Sequence, residues 1–164
     1  MCEHLWLGLG EVERSNDFLD FLWRIFVNNG EVPPERLAPM VQERRISMAK
    51  CYMRYFIGQA RRDTGIAIEE AMSSSPPDEL EPTGLTQVGN STIQGIRKPD
   101  IACETAEAVQ EYVMSRYWTV WPVCPTHNLG YHPVLTDGTP EWECSAGGHR
   151  AAMLDDTCAE HGRR

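Results

Sequence analysis

At 164 residues the chain has room for one ordinary domain, or for a helical domain with a small appendage, and not for two large ones. Apolar residues at 41% and charged residues at 24% exclude wholesale disorder, although 13 Gly and 11 Pro promise many turns. A formal net charge of −9 speaks against a protein that coats nucleic acid over its whole surface, because phosphate binding is driven by Lys and Arg.

The first residues, Met1 to Gly8, carry no basic stretch and no sustained apolar run, so no signal peptide, membrane span or membrane partner is expected and the cytoplasm is the default address. Ser15-Asn16-Asp17 then offers N-cap residues, and Phe18, Leu22, Ile25 and Phe26 recur at helical spacing until Asn29-Gly30. Leu19, Trp23 and Val27 make this first helix apolar over most of its circumference. It is expected to be buried on two sides or docked to a partner.

Pro33-Pro34 breaks the chain, and a long helix is expected from about Pro39 to Asp63, stopped by Thr64-Gly65. Ala49, Met53, Phe56, Ile57 and Ala60 form its packing side. Arg44, Arg45, Lys50, Arg54, Arg61 and Arg62 concentrate six of the fifteen basic residues in the same segment. With Tyr52, Tyr55 and Phe56 nearby they are the candidates for a nucleic-acid surface, against the plainer reading of a solvated face paired to the chain's own acids.

A short helix is expected over Ile66–Met72, completing a helical region over residues 1–72. Residues 73–99, rich in Ser, Pro, Gly and acids, read as a linker or long surface loop. Helical periodicity returns over Glu104–Tyr117, where Ala106, Val109, Val113 and Tyr117 share a face, within a helical stretch 100–120 ended by Trp121-Pro122.

Residues 121–164 form the most specific part of the sequence. Cys124-Pro125-Thr126-His127 sets two potential ligands three residues apart in a turn, and Cys144-Ser145-Ala146-Gly147-Gly148-His149 supplies a second pair around two glycines. Between them, Pro133–Thr136 and Glu141–Glu143 read as strands joined at Asp137-Gly138, a hairpin that returns the chain to the first pair. The expected site is one structural zinc on Cys124, His127, Cys144 and His149, since thiolate with imidazole suits zinc and four protein ligands leave no open position. His132 competes for the fourth place. The plainer alternative is a loop histidine, buried thiols and a hairpin packed by Trp142 against Trp118 or Trp121.

The succession Trp-Pro, Cys-Pro-x-His, His-Pro, Asp-Gly, Trp-x-Cys over residues 118–149 resembles the zinc-ribbon-like C-termini of small, largely actinobacterial proteins of uncharacterised role. The resemblance implies a hairpin-based zinc ribbon and does not extend to the helical half. Cys158 and His161, with Cys2 and His4, are candidates for a second site joining the termini. An exposed tail is the plainer reading.

The fold class that follows is mainly α with a small β module: N-terminal helices plus a C-terminal β-hairpin zinc ribbon. No metalloprotease His-Glu-x-x-His, phosphate loop, nucleophile elbow or deaminase motif is present, so no catalytic residue is assigned. A metal-dependent hydrolase would need one of the four ligands to be absent from the shell. The function expected is a non-catalytic zinc-binding adaptor or regulator acting through a protein partner or a homo-oligomer. The alternative is a nucleic-acid-binding regulator using residues 44–62.

Overall fold

The computed structural model describes residues 17–154, as three helices and two three-stranded antiparallel sheets, so the fold is mixed α/β rather than mainly α. Cys2, His4, Cys158 and His161 lie outside the described residues. No helix among those described is long and apolar enough to cross a membrane.

Helix α1 spans Asp17–Asn29 and ends where Gly30 turns left-handed at φ +70°. Its inner side buries Ile25 and half-buries Phe18, Phe21 and Leu22, while its outer side is exposed, so the described residues bury one side and not two. Helix α2, Pro34–Thr64, begins five residues earlier than expected. Pro34 opens the first turn, where a missing N–H costs nothing, and Pro39 is accommodated inside the helix. Ala49, Met53, Phe56, Ile57 and Ala60 are all buried, as their spacing requires. Gly65, at φ +71°, donates to the Arg61 carbonyl and ends the helix.

The helix expected at 66–72 is absent: residues 65–71 have no regular structure, the Ile68 N–H donates to the Ile66 carbonyl at 3.0 Å, and Ile68 is fully buried between exposed Ala67 and Glu69. One buried residue between exposed neighbours lacks the i, i+3, i+4 spacing of a helical face, which the helix-forming composition of the segment masked.

Residues 73–99 are likewise not a free linker. Strands β1 (Met72–Ser75), β2 (Leu85–Val88) and β3 (Ser91–Thr92) form an antiparallel meander, with Met72 opposite Val88 and Gln87 opposite Thr92. Thr86, Val88 and Ile93 point inward and are buried. Two buried polar side chains of α2 fasten this region. Gln42 donates to the Ser75 and Leu85 carbonyls, and Arg45 donates to the Gly95 carbonyl at 3.1 Å, the Gly84 carbonyl at 3.3 Å and Thr83 Oγ1 at 3.2 Å. From the other side, the Glu104 carboxylate accepts the N–H groups of Gln94 and Gly95.

Helix α3 spans Lys98–Tyr117, starting at Lys98-Pro99 rather than at residue 104, and stops where Trp118 adopts a left-handed φ of +55°. Ala106, Val109 and Val113 are buried. The second sheet follows: β4 (Tyr131–Thr136), β5 (Thr139–Cys144) and a third strand, β6 (Arg150–Ala152), that the sequence had not suggested. Asp137 and Gly138, at φ +50° and +79°, form the two-residue turn between β4 and β5.

One hydrophobic cluster joins α2, α3 and the two sheets. It runs from Met53, Phe56 and Ile57 of α2 through Val88, Ile93, Ile101 and Val109 to Trp121, Trp142 and Met153.

Candidate metal centre

Two turns at the same end of the second sheet, one leading into β4 and one joining β5 to β6, bring the candidate ligands together. In the first, Cys124 receives the chain from Trp121-Pro122-Val123; its N–H donates to the Leu129 carbonyl and its own carbonyl accepts the Asn128 N–H, both at 2.8 Å. Asn128, left-handed at φ +53°, reverses the chain, and a bridge between Val123 and Gly130 closes the loop into β4. In the second, β5 ends at Cys144, whose carbonyl accepts the Gly147 N–H at 2.7 Å. Gly147 and Gly148, at φ +72° and +89°, bring His149 round to enter β6. The Ser145 hydroxyl, donating to the Gly130 carbonyl at 2.6 Å, ties one turn to the other.

The result is a cluster in which Cys124 Sγ, Cys144 Sγ and one ring nitrogen of each of His127 and His149 all lie within 4.8 Å of one another. Four such atoms are close enough to hold one metal ion. Cys124 Sγ stands 3.0 Å from His149 Nε2 and 3.8 Å from His127 Nδ1, and His127 Nδ1 stands 3.4 Å from Cys144 Sγ. Both cysteines are buried, His149 is half-buried and His127 is exposed, its ring stacked on that of His149 at 5.0 Å.

The electrostatics favour one ready thiolate. Burial pushes the Cys124 thiol up, but the N–H groups of His127 and Thr126, with Cys144 and His149, outweigh it and bring the group down to about 5. Cys144 is pushed up by burial first, and then by its hydrogen bond to Cys124 and that group's charge, against the Ala146 N–H that lowers it. Tyr131 is raised as well, by burial and by its hydrogen bond to Cys124. A bound cation would remove the repulsion that keeps Cys144 protonated.

His132 is not part of the cluster. It sits exposed on β4 opposite Glu143, with Nε2 3.6 Å from that carboxylate. No family model, curated protein or solved structure matches this chain. The site therefore rests on its own geometry.

The residues that hold the ribbon to the body were only partly foreseen. Trp142 lies in β5 two residues before Cys144 and is buried edge-to-face against Phe56 at 5.9 Å and Trp121 at 5.8 Å. Trp121 in turn donates from Nε1 to Asp63 at 2.9 Å. Gln110 of α3 donates to the carbonyls of Trp121 and Tyr131, bracing the entrance to both the turn and the strand. Trp118, named beside Trp121 as a packing anchor, is instead 92% exposed. The position of Ser145 directly after a ligand was the only sequence signal for its bridging role.

Of the six basic residues of 44–62, Lys50, Arg54, Arg61 and Arg62 are exposed, whereas Arg44 is half-buried and Arg45 buried. Arg44 pairs with Asp17, Arg45 is buried among backbone carbonyls, Arg54 pairs with Glu70 at 3.1 Å, and Arg61 donates to the Ile68 carbonyl.

Proposed function

We propose that Cys124, His127, Cys144 and His149 hold one structural zinc ion, and that the protein is a non-catalytic cytoplasmic adaptor or regulator working through protein contacts. The observation that carries the zinc reading is the convergence of two thiols and two imidazoles within 4.8 Å. A tetrahedral zinc with bonds of ~2.3 Å to sulfur and ~2.0–2.1 Å to nitrogen sets neighbouring S and N donors about 3.5 Å apart. The three sulfur–nitrogen separations of 3.0, 3.4 and 3.8 Å bracket that value. The thiolate and imidazole donors favour zinc over hard cations such as magnesium or calcium, which prefer oxygen.

A shell filled by four protein ligands leaves no position for water or substrate, which supports a structural role over a hydrolytic one. That role is to organise two tight turns that contribute no core of their own, so that the ribbon presents a fixed surface. The nucleic-acid alternative has less support, because four of its six basic side chains are engaged within the chain.

The test is metal content by mass spectrometry on purified protein and on a Cys124→Ser, Cys144→Ser double variant. One zinc per chain, lost in the double variant, is the expected result. A native protein that folds and carries no zinc overturns the reading.

A further inference from the structure

Helix α1 is attached to the body along one side only. Asp17 pairs with Arg44 and accepts the Lys98 N–H, and Ile25 is buried. The opposite side carries Trp23, Phe26 and Val27 at 64%, 51% and 61% exposure, a contiguous stripe in which the Trp23 and Phe26 rings lie 5.8 Å apart. Asp20 and Arg24, one turn apart and both exposed, run along one edge of this stripe, and neither has an ion-pair partner among the described residues.

We infer that this stripe is covered by a second copy of the chain, with α1 packed antiparallel on α1 about a two-fold axis near Trp23. Charge complementarity selects this occupant. In an antiparallel helix pair the same edge of each helix faces the other, so the edge bearing Asp20 and Arg24 meets itself reversed. An axis within one residue of Trp23 sets Asp20 beside the partner's Arg24, and Arg24 beside the partner's Asp20. An edge with one acid and one base a turn apart is thus complementary to itself, whereas an edge of one sign would repel.

The area agrees with a reversible association. Trp23, Phe26 and Val27 expose on the order of 400 Å², a patch as large as the greatest usually left on a monomer. Two copies with their charged edges bury roughly 1,000 Å², the lower limit for a specific interface, so a weak, reversible association is expected. The inference does not draw on the metal: α1 and the ribbon share no ligand, and the dimer is expected with or without zinc.

Sedimentation velocity of the full chain between about 1 and 200 μM tests it across the range of a weak association. The wild-type chain is expected to pass from monomer to dimer in that range, and Phe26→Lys to stay monomeric. Asp20→Arg, which sets like charges against each other twice per dimer, is expected to weaken association about tenfold, and Asp20→Arg with Arg24→Asp to restore it. Trp118→Lys, which alters an exposed aromatic away from α1, is expected to leave the dimer intact. Should Phe26→Lys fail to fold, as judged by circular dichroism, the surface charge exchange still decides the matter. A chain monomeric throughout overturns the inference. A dimer lost in Trp118→Lys, or unmoved by both Phe26→Lys and the single charge reversal, places the interface elsewhere and equally overturns it.

Discussion

Replacing Trp142 by alanine tests whether the ribbon and the helices are one folding unit. The side chain is 5% exposed and meets Phe56 and Trp121 edge-to-face. Truncating a buried aromatic costs about 3–5 kcal/mol, and two aromatic contacts of about 0.5–1.5 kcal/mol each place this case at the upper end. Against a total stability of about 5–15 kcal/mol that is a large share, and at roughly 2–4 °C per kcal/mol the melting temperature falls by about 10–20 °C. Thermal denaturation followed by circular dichroism, with zinc in excess so that metal loss does not intervene, is the assay. A double-mutant cycle with Phe56→Leu should return a coupling of about 0.5–1.5 kcal/mol. A loss below about 1 kcal/mol, or a wild-type chain melting in two separate transitions, would show that the ribbon folds apart from α2 and refute the shared core.

Three further outcomes follow from the same contacts. His132→Ala should leave metal content unchanged while His149→Ala lowers it, since only His149 reaches the thiols; equal effects would mean that the ligand set is misassigned. In the metal-free chain, Cys124 is lowered in the fold to about 5 from an ordinary 9.0, so its stabilising contribution is complete above pH 9 and disappears as the pH falls through 5. Denaturant midpoints measured under chelation should therefore rise from pH 5 towards 9, with the raised Cys144 acting against further gain above that range; a midpoint independent of pH there contradicts the assignment. Arg45→Ala should cost about 2–4 kcal/mol in denaturant unfolding, because it strands the Gly84 and Gly95 carbonyls against α2, whereas a solvated nucleic-acid-binding arginine would cost under about 0.5 kcal/mol.

What the sequence revealed and what it hid divide by the range of the interactions. The α2 packing side and the two ligand pairs are local: Ala49 to Ala60 share a helical face, and Cys124 with His127, or Cys144 with His149, sit on single turns. Asp137-Gly138 marked the hairpin that brings those turns together. The first sheet was hidden because its evidence is distant. Met72 pairs with Val88 across a long loop, only Thr86, Val88 and Ile93 face inward, and the groups that fix the loops, Gln42 and Arg45, come from another element. Arg45 shows the difficulty best. In sequence it is one of a run of bases, while in the fold it is a buried donor that satisfies carbonyls of a segment about 40–50 residues away. Strand alternation at Thr86 and Val88 before Gly89-Asn90 was the available signal, outweighed by the Ser and Pro content around it.

Strand β5 explains why metal and core are expected to act together. Trp142 and Cys144 stand two residues apart, so both side chains leave the same face of the strand, the first into the helical core and the second into the ligand cluster. The turn around Cys144 has no apolar anchor of its own beyond the cysteine: Ser145, Ala146, Gly147 and Gly148 are all exposed. Packing of Trp142 therefore positions one sulfur, the Ser145 hydroxyl fixes its distance from the Gly130 turn, and Gln110 fixes the start of β4. The Ser145 hydroxyl ties the two turns together, and the Cys144 N–H donates to the His149 carbonyl at 3.2 Å, so these contacts hold the backbone of the turns. A bond through the four ligands would join the side chains of both turns as well, which is why loss of the metal should loosen residues 124–130 and 144–149 first while Trp142 remains packed against α2.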